Sequence, residues 1–248
     1  MLKIQNVSKT YSSSANKAVD NLVLEVKPGE IFGFLGPNGA GKSTTIKMIA
    51  GILTVDGGRI LVDGLDVVKE PMKAKLNIGY VSDSHETFDR LTGIEYLNFM
   101  SEMYEVESKT ARERINRLVS TFQLTDAMTS PIKSYSHGMK QKIVVIGALL
   151  HKPKLWILDE PLTGLDPAAA YQLKLLMHEH VKEGNTVFFS SHVIEVVEKL
   201  CHRIAIINKG KLVTVGTLEE VKKDKNISLE QLFLQVTDSD NAAKIYGE

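Results

Sequence analysis

The sequence is low in cysteine, and it has no excess of charge of either sign. Its 248 residues include one cysteine, Cys201, which excludes an internal disulfide and indicates a reducing compartment. We interpret Cys201 as a packed or idle thiol rather than a catalytic nucleophile. Thirty basic residues balance thirty acidic ones. This balance gives no reason to expect binding to nucleic-acid backbones, which calls for a basic surface.

Long apolar runs are also missing. The first residues, MLKIQNVSKTY, contain no apolar signal-peptide core. The longest nearly continuous apolar segment, residues 143–150, is far shorter than the ~20 residues that cross a bilayer. With 43% hydrophobic residues, the chain can nevertheless bury a full core. We therefore expect a folded domain in the cytoplasm that does not span a membrane.

Strand-like and helix-like patterns alternate along much of the chain. Apolar residues that alternate or run together predict strands at residues 2–7, 18–26, 31–35, 155–158, 186–190 and 204–207. Apolar residues at helical spacing predict helices at residues 43–50, 94–104, 110–122 and about 167–183. The last helix has a suitable cap in Asp166, a proline in its first turn at Pro167, and a glycine at its end, Gly184. This alternation predicts an α/β fold with a mainly parallel sheet.

One long stretch breaks the alternation. Residues from about 84 to 150 are mostly helical in pattern, and we interpret them as an inserted helical subdomain. The core then comprises about 1–83 and 151–225, with a short tail at about 226–248. No linker or low-complexity segment separates these parts, so we expect a single domain.

A glycine-rich segment follows the predicted strand at residues 31–35. GPNGAGKS, residues 36–43, fits the P-loop pattern G-x-x-x-x-G-K-[ST] between a strand and a helix. Its glycines let backbone N–H groups surround phosphate oxygens, and the helix that follows adds its positive end. Lys42 would bridge the β- and γ-phosphates of ATP, and Ser43 would bind Mg²⁺. The expected phosphate-binding residues are Gly36, Pro37, Asn38, Gly39, Ala40, Gly41, Lys42, Ser43 and Thr44.

Two acidic residues end a second apolar strand in LWILDEP, residues 155–161. Asp159 fits the role of an Mg²⁺ holder. Glu160, which points in a different direction, is a candidate general base for the water that attacks the γ-phosphate. Alone, this motif would also describe two solvated acids at the end of a strand.

Three further motifs follow in the order found in ATP-binding cassette (ABC) transporter ATPases. YSHGMKQK at residues 135–142 resembles the family signature, LTGLDP at 162–167 resembles its D-loop, and SSH at 190–192 resembles its switch histidine. The sequence is similar to small bacterial cassettes of exporter type (ABC-2 type). The resemblance implies a P-loop NTPase core, with an N-terminal antiparallel β subdomain, that binds and hydrolyses ATP with Mg²⁺. It also implies a homodimer or a dimer with a related cassette, bound to a separate permease on the inner face of the membrane.

The same resemblance assigns roles to single residues. Lys42, Glu160 and His192 would be catalytic, with His192 contacting the γ-phosphate, and Tyr11 would stack on adenine. The signature and D-loop would reach the ATP held by the partner subunit. The residues in this second group are Ser136, His137, Gly138, Met139 and Asp166. His137 and Met139 replace the commoner glycine and glutamine of the signature, and the local cap would by itself explain Asp166.

Asp83 is the most informative departure from the family pattern. The family usually has glutamine, or sometimes glutamate, at this position. A shorter, charged side chain would bind Mg²⁺ directly or through water, or it would be merely solvated, and both interpretations stay open. In the family, this loop joins the core to the helical subdomain and senses the permease.

The sequence thus predicts the ATP-hydrolysing subunit of a membrane transporter, with export favoured over import. Two alternatives belong to other classes: a soluble cassette that acts on DNA or ribosomes, and a nucleotide switch that does not hydrolyse ATP. The first usually has two cassettes or a long coiled-coil insertion, neither of which fits into 248 residues. The second is disfavoured because both Glu160 and His192 are present.

Overall fold

The computed structural model describes residues 1–12, 16–83, 88–223 and 228–237. The strands are β1 (Leu2–Thr10), β2 (Lys17–Val26), β3 (Ile31–Leu35), β4 (Gly57–Val62), β5 (Leu65–Asp66), β6 (Ile78–Val81), β7 (Leu155–Asp159), β8 (Thr186–Ser191), β9 (Arg203–Asn208) and β10 (Lys211–Thr217). The helices are α1 (Lys42–Ile49), α2 (Pro71–Leu76), α3 (Gly93–Met103), α4 (Ser108–Thr121), α5 (His137–Leu149), α6 (Pro167–Lys182), α7 (Ile194–Leu200), α8 (Leu218–Lys223) and α9 (Leu229–Thr237).

The strands form two sheets. A four-stranded antiparallel sheet has the order β2-β1-β4-β5, and a six-stranded sheet has the order β10-β9-β3-β8-β7-β6. Five neighbouring strands of the larger sheet, β9 to β6 in that order, are parallel, and only β10 is antiparallel. The predicted α/β fold with an antiparallel N-terminal sheet is therefore confirmed.

Each face of the larger sheet belongs to a different apolar cluster. Phe32, Phe34 and Phe188 point toward the antiparallel sheet and α1, and the rings of Phe32 and Phe188 stack with centroids 5.7 Å apart. The neighbouring residues of the same strands, such as Leu35 and Phe189, face the helices instead. Side chains that alternate between two buried faces explain why these strands are continuously apolar.

The region between β6 and β7 is helical, as its sequence pattern predicts. Its described part, residues 88–154, contains α3, α4, α5 and two 3-10 helices, Thr125–Ala127 and Ile132–Ser134. A capping box fixes the start of α3, because Thr92 and Glu95 bond each other's backbone N–H groups. Residues 84–87, where the predicted insertion begins, lie outside the described residues, and its boundaries stay a prediction.

The tail and the cysteine are packed against the core. In α9, Leu229 and Leu232 are buried in the same cluster as the helix-facing side of the sheet. Burial also raises the pKa of the Cys201 thiol, which suits a packed side chain rather than a nucleophile. Throughout the described ranges, none of the helices combines the length and the apolar character that crossing a bilayer requires.

Two histidines with little exposure lie beside β7, His180 buried and His151 half-buried. The His151 ring stacks on Tyr104 with centroids 3.7 Å apart, and its Nε2 lies 3.1 Å from the Ile78 carbonyl oxygen. His180, on α6, meets the Trp156 ring edge-on at 5.6 Å. Burial lowers the pKa of each histidine to about 4, so both are neutral in the fold at neutral pH.

We expect this pair to make the fold sensitive to acid. An unfolded histidine has a pKa of about 6.5, so between pH 6.5 and 4 the unfolded chain binds more protons than the folded chain. Stability is therefore fully present above pH 6.5 and falls as the pH decreases, by about 1–2 kcal/mol per histidine at pH 5. His151→Phe keeps a stacking ring but cannot titrate, so urea unfolding from pH 7 to 5 should show a flatter loss. His178→Gln, which changes an exposed histidine of α6, should leave the slope unchanged.

Candidate functional site

The candidate site lies where three parallel strands end. Leu35 of β3 pairs with Ser191 of β8, and Ser190 pairs with Asp159 of β7. The residues that follow each strand therefore meet at one edge of the sheet. This carboxyl edge is where open α/β sheets bind their ligands.

The P-loop connects β3 to α1 and packs closely against the backbone of neighbouring segments. A side chain at Gly36 would place its Cβ 2.5 Å from the Ile207 carbonyl oxygen. Gly41 has φ 105°, and its Cβ would lie 2.5 Å from the Ala18 carbonyl oxygen. Only glycine is accommodated at either position without moving the backbone. Two glycines of the pattern are thus required because the neighbouring backbone lies too close to the loop for a side chain.

Lys42 carries a buried charge inside this loop. Its Nζ donates hydrogen bonds to the carbonyl oxygens of Gly36, at 2.7 Å, and Pro37, at 3.3 Å. Burial lowers the pKa of Lys42, while the nearby carboxylates of Glu160 and Asp159 oppose the shift. The ammonium group is thus prearranged and poorly hydrated, so a phosphate oxygen would be a strong partner for it.

A cavity of about 360 Å³ opens above the loop. Its lining includes Tyr11, the P-loop, Thr44, Asp83 and Glu160, so it unites predicted residues from four separate motifs. The Tyr11 hydroxyl lies 3.3 Å from Thr44 Oγ1, and the exposed Tyr11 ring stands at the rim. The cavity therefore has cationic and backbone donors at its base and an aromatic ring at its edge.

Asp159 ends β7 with a fully buried carboxylate. Ser190 Oγ donates to its Oδ1 at 2.5 Å, whereas Oδ2 has no hydrogen-bond partner among the described residues. Burial raises the pKa of Asp159, the hydroxyls of Ser190 and Ser43 oppose this rise, and Asp83 and Glu160 add to it. A buried carboxylate oxygen without a donor, beside the Ser43 hydroxyl, suits a hard divalent cation such as Mg²⁺.

Glu160 lies between the two other predicted catalytic residues. Its Oε2 is 2.9 Å from His192 Nδ1, and its Oε1 is 3.9 Å from Lys42 Nζ. The Glu160 backbone has φ 49°, a left-handed conformation that is unusual outside glycine, and its N–H donates to Ser190 Oγ. Ser190 therefore positions both acids of the motif, a role that the sequence analysis missed although SSH was recognised.

The signature residues begin α5, and they contact the D-loop of the same chain. Ser136 caps the helix by accepting a hydrogen bond from the Met139 N–H at 3.3 Å. A Cβ at Gly138 would lie 2.9 Å from the Gly164 carbonyl oxygen. His137 lines a second cavity, of about 250 Å³, together with Asp83, Glu160, His192 and two further residues. The contacts of the signature residues with a partner's ATP stay a prediction.

Asp166 has the capping role that its sequence position predicts. Its Oδ1 accepts from the Ala169 N–H at 2.8 Å at the start of α6, and Lys142 Nζ donates to its Oδ2 at 2.8 Å. The Lys142 hydrogen bond is the largest of the contributions that lower the pKa of Asp166. Asp83, by contrast, is exposed at the cavity rim, 3.4 Å from Ser82 Oγ, so both interpretations of it remain open.

Comparison with known proteins identifies relatives of this architecture. The model of the ABC transporter family matches residues 19–163, more than half of the chain. The chain is 36% identical over 249 residues to the ABC transporter ATP-binding protein YhcH of Bacillus subtilis (strain 168), covering 100% of this chain and 79% of that protein. It is 40% identical over 217 residues to the linearmycin resistance ATP-binding protein LnrL of the same organism, covering 88% of this chain and 69% of that protein.

A solved structure shows the same fold. The structure of an ATP-binding subunit of an ABC transporter superposes with a TM-score of 0.90 at 29% sequence identity. The match covers 95% of this chain and 99% of the solved chain. The resemblance inferred from the motifs is therefore confirmed, and the chain belongs to the ABC transporter family as an ATP-binding subunit.

Proposed function

We propose that this chain hydrolyses ATP as the energy-converting subunit of a membrane exporter. One observation carries the proposal: the Glu160 carboxylate lies at the mouth of the P-loop cavity, 2.9 Å from His192 and 3.9 Å from Lys42. A base, a cation and an imidazole thus converge where the γ-phosphate would end. A cassette that only binds nucleotide has no need for this arrangement, which disfavours the nucleotide-switch alternative.

The cavity suggests how ATP would lie. The P-loop backbone and the start of α1 would hold the phosphates, because N–H groups and the helix dipole attract anions there. Lys42 would exchange its carbonyl partners for β- and γ-phosphate oxygens. Adenine would stack on Tyr11, whose exposed ring lines the same cavity.

Hydrolysis then needs one proton transfer. Glu160 accepts a proton from water as the water oxygen bonds to the γ-phosphorus. The bond from the γ-phosphorus to the bridging oxygen breaks, and ADP leaves with that electron pair. His192 Nδ1 lies 2.9 Å from the Glu160 carboxylate, and a doubly protonated ring would donate to that carboxylate and, through Nε2, to a γ-phosphate oxygen.

Mg²⁺ would be held by residues of this same edge. When bound, it neutralises charge on the β- and γ-phosphate oxygens. Ser43 would supply its hydroxyl and Asp159 its unbonded Oδ2, directly or through water. Asp83, which lines the same cavity, would bind the ion directly or through water, or it would be merely solvated.

We further propose that the site is completed by a second cassette, either another copy or a related chain. Within one chain, Ser136 caps α5 and Gly138 lies against the Gly164 carbonyl oxygen, and neither residue lines the P-loop cavity, so their expected ATP contact would be with nucleotide held by a partner. The core, about 1–83 and 151–225, would hold ATP, and the inserted segment, about 84–150, would present the signature to the partner's γ-phosphate. Closure on two ATP molecules and reopening after hydrolysis would change the access of an attached permease.

The permease and the direction of transport are inferred from the relatives and from one surface. LnrL is named for resistance to linearmycin, which favours export. The exposed side chains of Phe88, Phe99 and Met103 lie on or beside α3, and the Phe88 and Phe99 rings are 5.5 Å apart. This apolar patch suits a permease segment on the cytoplasmic face of the membrane. The relatives give no support to a role on DNA or ribosomes.

Replacement of Lys42 tests ATP binding. Lys42→Ala should weaken Mg²⁺-ATP binding by at least about tenfold, the cost of losing a charge-assisted contact, and should abolish hydrolysis. Titration calorimetry measures the affinity, and circular dichroism checks the fold. Lys47→Ala, a change in the last turn of the same helix, is the matched control and should bind normally. Unchanged affinity and turnover in Lys42→Ala would contradict the assignment of the P-loop.

Replacement of Glu160 tests the base and the dimer together. Glu160→Gln keeps the size and hydrogen bonding of the side chain but removes the base, so turnover should fall by roughly 10²–10⁴-fold. ATP binding should survive, because the P-loop is unchanged. With Mg²⁺-ATP, the variant should therefore elute as a dimer from a sizing column.

Two controls separate the parts of this prediction. With ADP, or with Ser136→Arg added to block the signature, Glu160→Gln should elute as a monomer. Turnover at the parent rate would exclude Glu160 as the base. A monomer in saturating ATP would argue against the shared site, and a dimer without nucleotide would place the interface elsewhere.

A further inference from the structure

Helix α5, which begins with the signature residues, contacts the segment from Pro161 to Asp166 at several points. The position that a Cβ would occupy at Gly164 lies 2.7 Å from His137 Nε2 and closer still to Cδ2, so the imidazole lies directly on the Gly164 backbone. One turn further along α5, Gln141 Nε2 donates to the Pro161 carbonyl oxygen at 3.1 Å, where the side chain is buried. Lys142 adds its ion pair with Asp166. His137 and Gln141 are four residues apart and therefore lie on the same face of α5, and Lys142 reaches Asp166 from beside that face.

The loop that α5 contacts begins at the candidate base. The Glu160 carbonyl oxygen accepts a hydrogen bond from the Thr163 N–H at 3.2 Å, and Gly164 follows with φ 78°. Glu160 itself has φ 49°. A left-handed conformation is unfavourable for a residue other than glycine, so contacts in the surroundings must maintain it. The turn and its contacts with α5 therefore set the direction of the Glu160 carboxylate.

The His137 ring lies in the middle of the contact between α5 and this loop. Gln141 and Lys142 hold the two ends of the loop, at Pro161 and Asp166, and between them the His137 ring lies on Gly164, beside the close approach of Gly138 to the Gly164 carbonyl oxygen. The ring also lines the cavity that contains Glu160 and His192. A shift of the ring would let the middle of the loop move, and Glu160, whose carbonyl oxygen closes the turn with the Thr163 N–H, lines the same cavity as the ring.

We propose that His137 is a positioning residue for ATP hydrolysis: its ring, packed on Gly164, holds the turn that aims the Glu160 carboxylate at water. This inference rests on the proposed ATPase function and goes beyond it. It assigns a role within the same chain to a residue whose sequence position suggested contact with the partner's ATP. The ring acts by packing, so a planar apolar ring should replace it.

Steady-state ATP hydrolysis by the full-length chain tests the proposal. His137→Ala should lower kcat by about 10- to 100-fold, the usual cost of a misplaced catalytic group, while KM for ATP changes less than about twofold. His137→Phe should restore kcat to within about threefold of the parent, since it retains a planar ring on Gly164. Lys140→Met is the matched control on the same helix: it removes an ion pair of 2.8 Å with Asp89, outside the D-loop, and should leave kcat unchanged.

A double-mutant cycle on thermal unfolding tests the contact without relying on turnover. Gly164→Ala introduces a Cβ where the ring lies, so it should lower the melting temperature more in the parent than in the His137→Ala background. Equal effects in both backgrounds would show that the ring does not press on Gly164 and would overturn the proposal.

The kinetic outcomes also separate this proposal from the proposed function. A parent chain with no ATP turnover would contradict the proposed function itself. With an active parent, a normal kcat in His137→Ala would overturn only the positioning role. A raised KM with normal kcat would assign His137 to nucleotide contact instead. Failure of His137→Phe to restore kcat would also overturn the packing argument, because it would require the imidazole nitrogens.

Discussion

The buried charge of Lys42 is the constraint around which the site is arranged. The Lys42 side chain is only 7% exposed, so its ammonium needs partners that replace water. Two carbonyl oxygens of the P-loop and the carboxylates of Asp159 and Glu160 provide them. The P-loop follows β3 and the acids lie at the end of β7, two strands that flank β8 in the sheet. The topology therefore brings the cation and both acids together, and the resulting cluster favours a ligand with alternating charge, such as a nucleotide phosphate chain with its metal.

Within a single chain, only the inner residues of the site are buried. Lys42 and Asp159 are buried, whereas Asp83, Ser136 and His192 are exposed. Exposed charges and dipoles contribute little because water screens them, so the outer half of the site is electrostatically weak in this state. A second cassette over the nucleotide would exclude that water and strengthen every outer contact at once. This difference gives a physical reason for linking hydrolysis to dimer closure.

The fold and the inner half of the site were predictable because their signals are local. The P-loop spacing, the apolar strand before Asp159, and the cap formed by Asp166 each lie within a few neighbouring residues, and the structure places them as expected. The bond from Ser190 to Asp159 and the packing of His137 on Gly164 could not be predicted, since each joins residues about thirty positions apart. Such contacts depend on how helices pack. Short helices without a strong pattern, such as α2 and α7, were missed for a related reason.

The packing of α5 on the D-loop connects the surface that is expected to meet the partner's ATP with this chain's own Glu160. The start of this helix is expected to meet the partner's γ-phosphate, and the same turn of helix lies on the loop that begins at this chain's own Glu160. Rigid helices transmit small displacements along their length, because a close-packed interface moves as a unit rather than deforming. In the proposed dimer, ATP bound at one site would then reach the base of the other through α5. The His137 ring, which replaces the commoner glycine, lies on Gly164 in this contact region, and Lys142 pairs with Asp166 beside it.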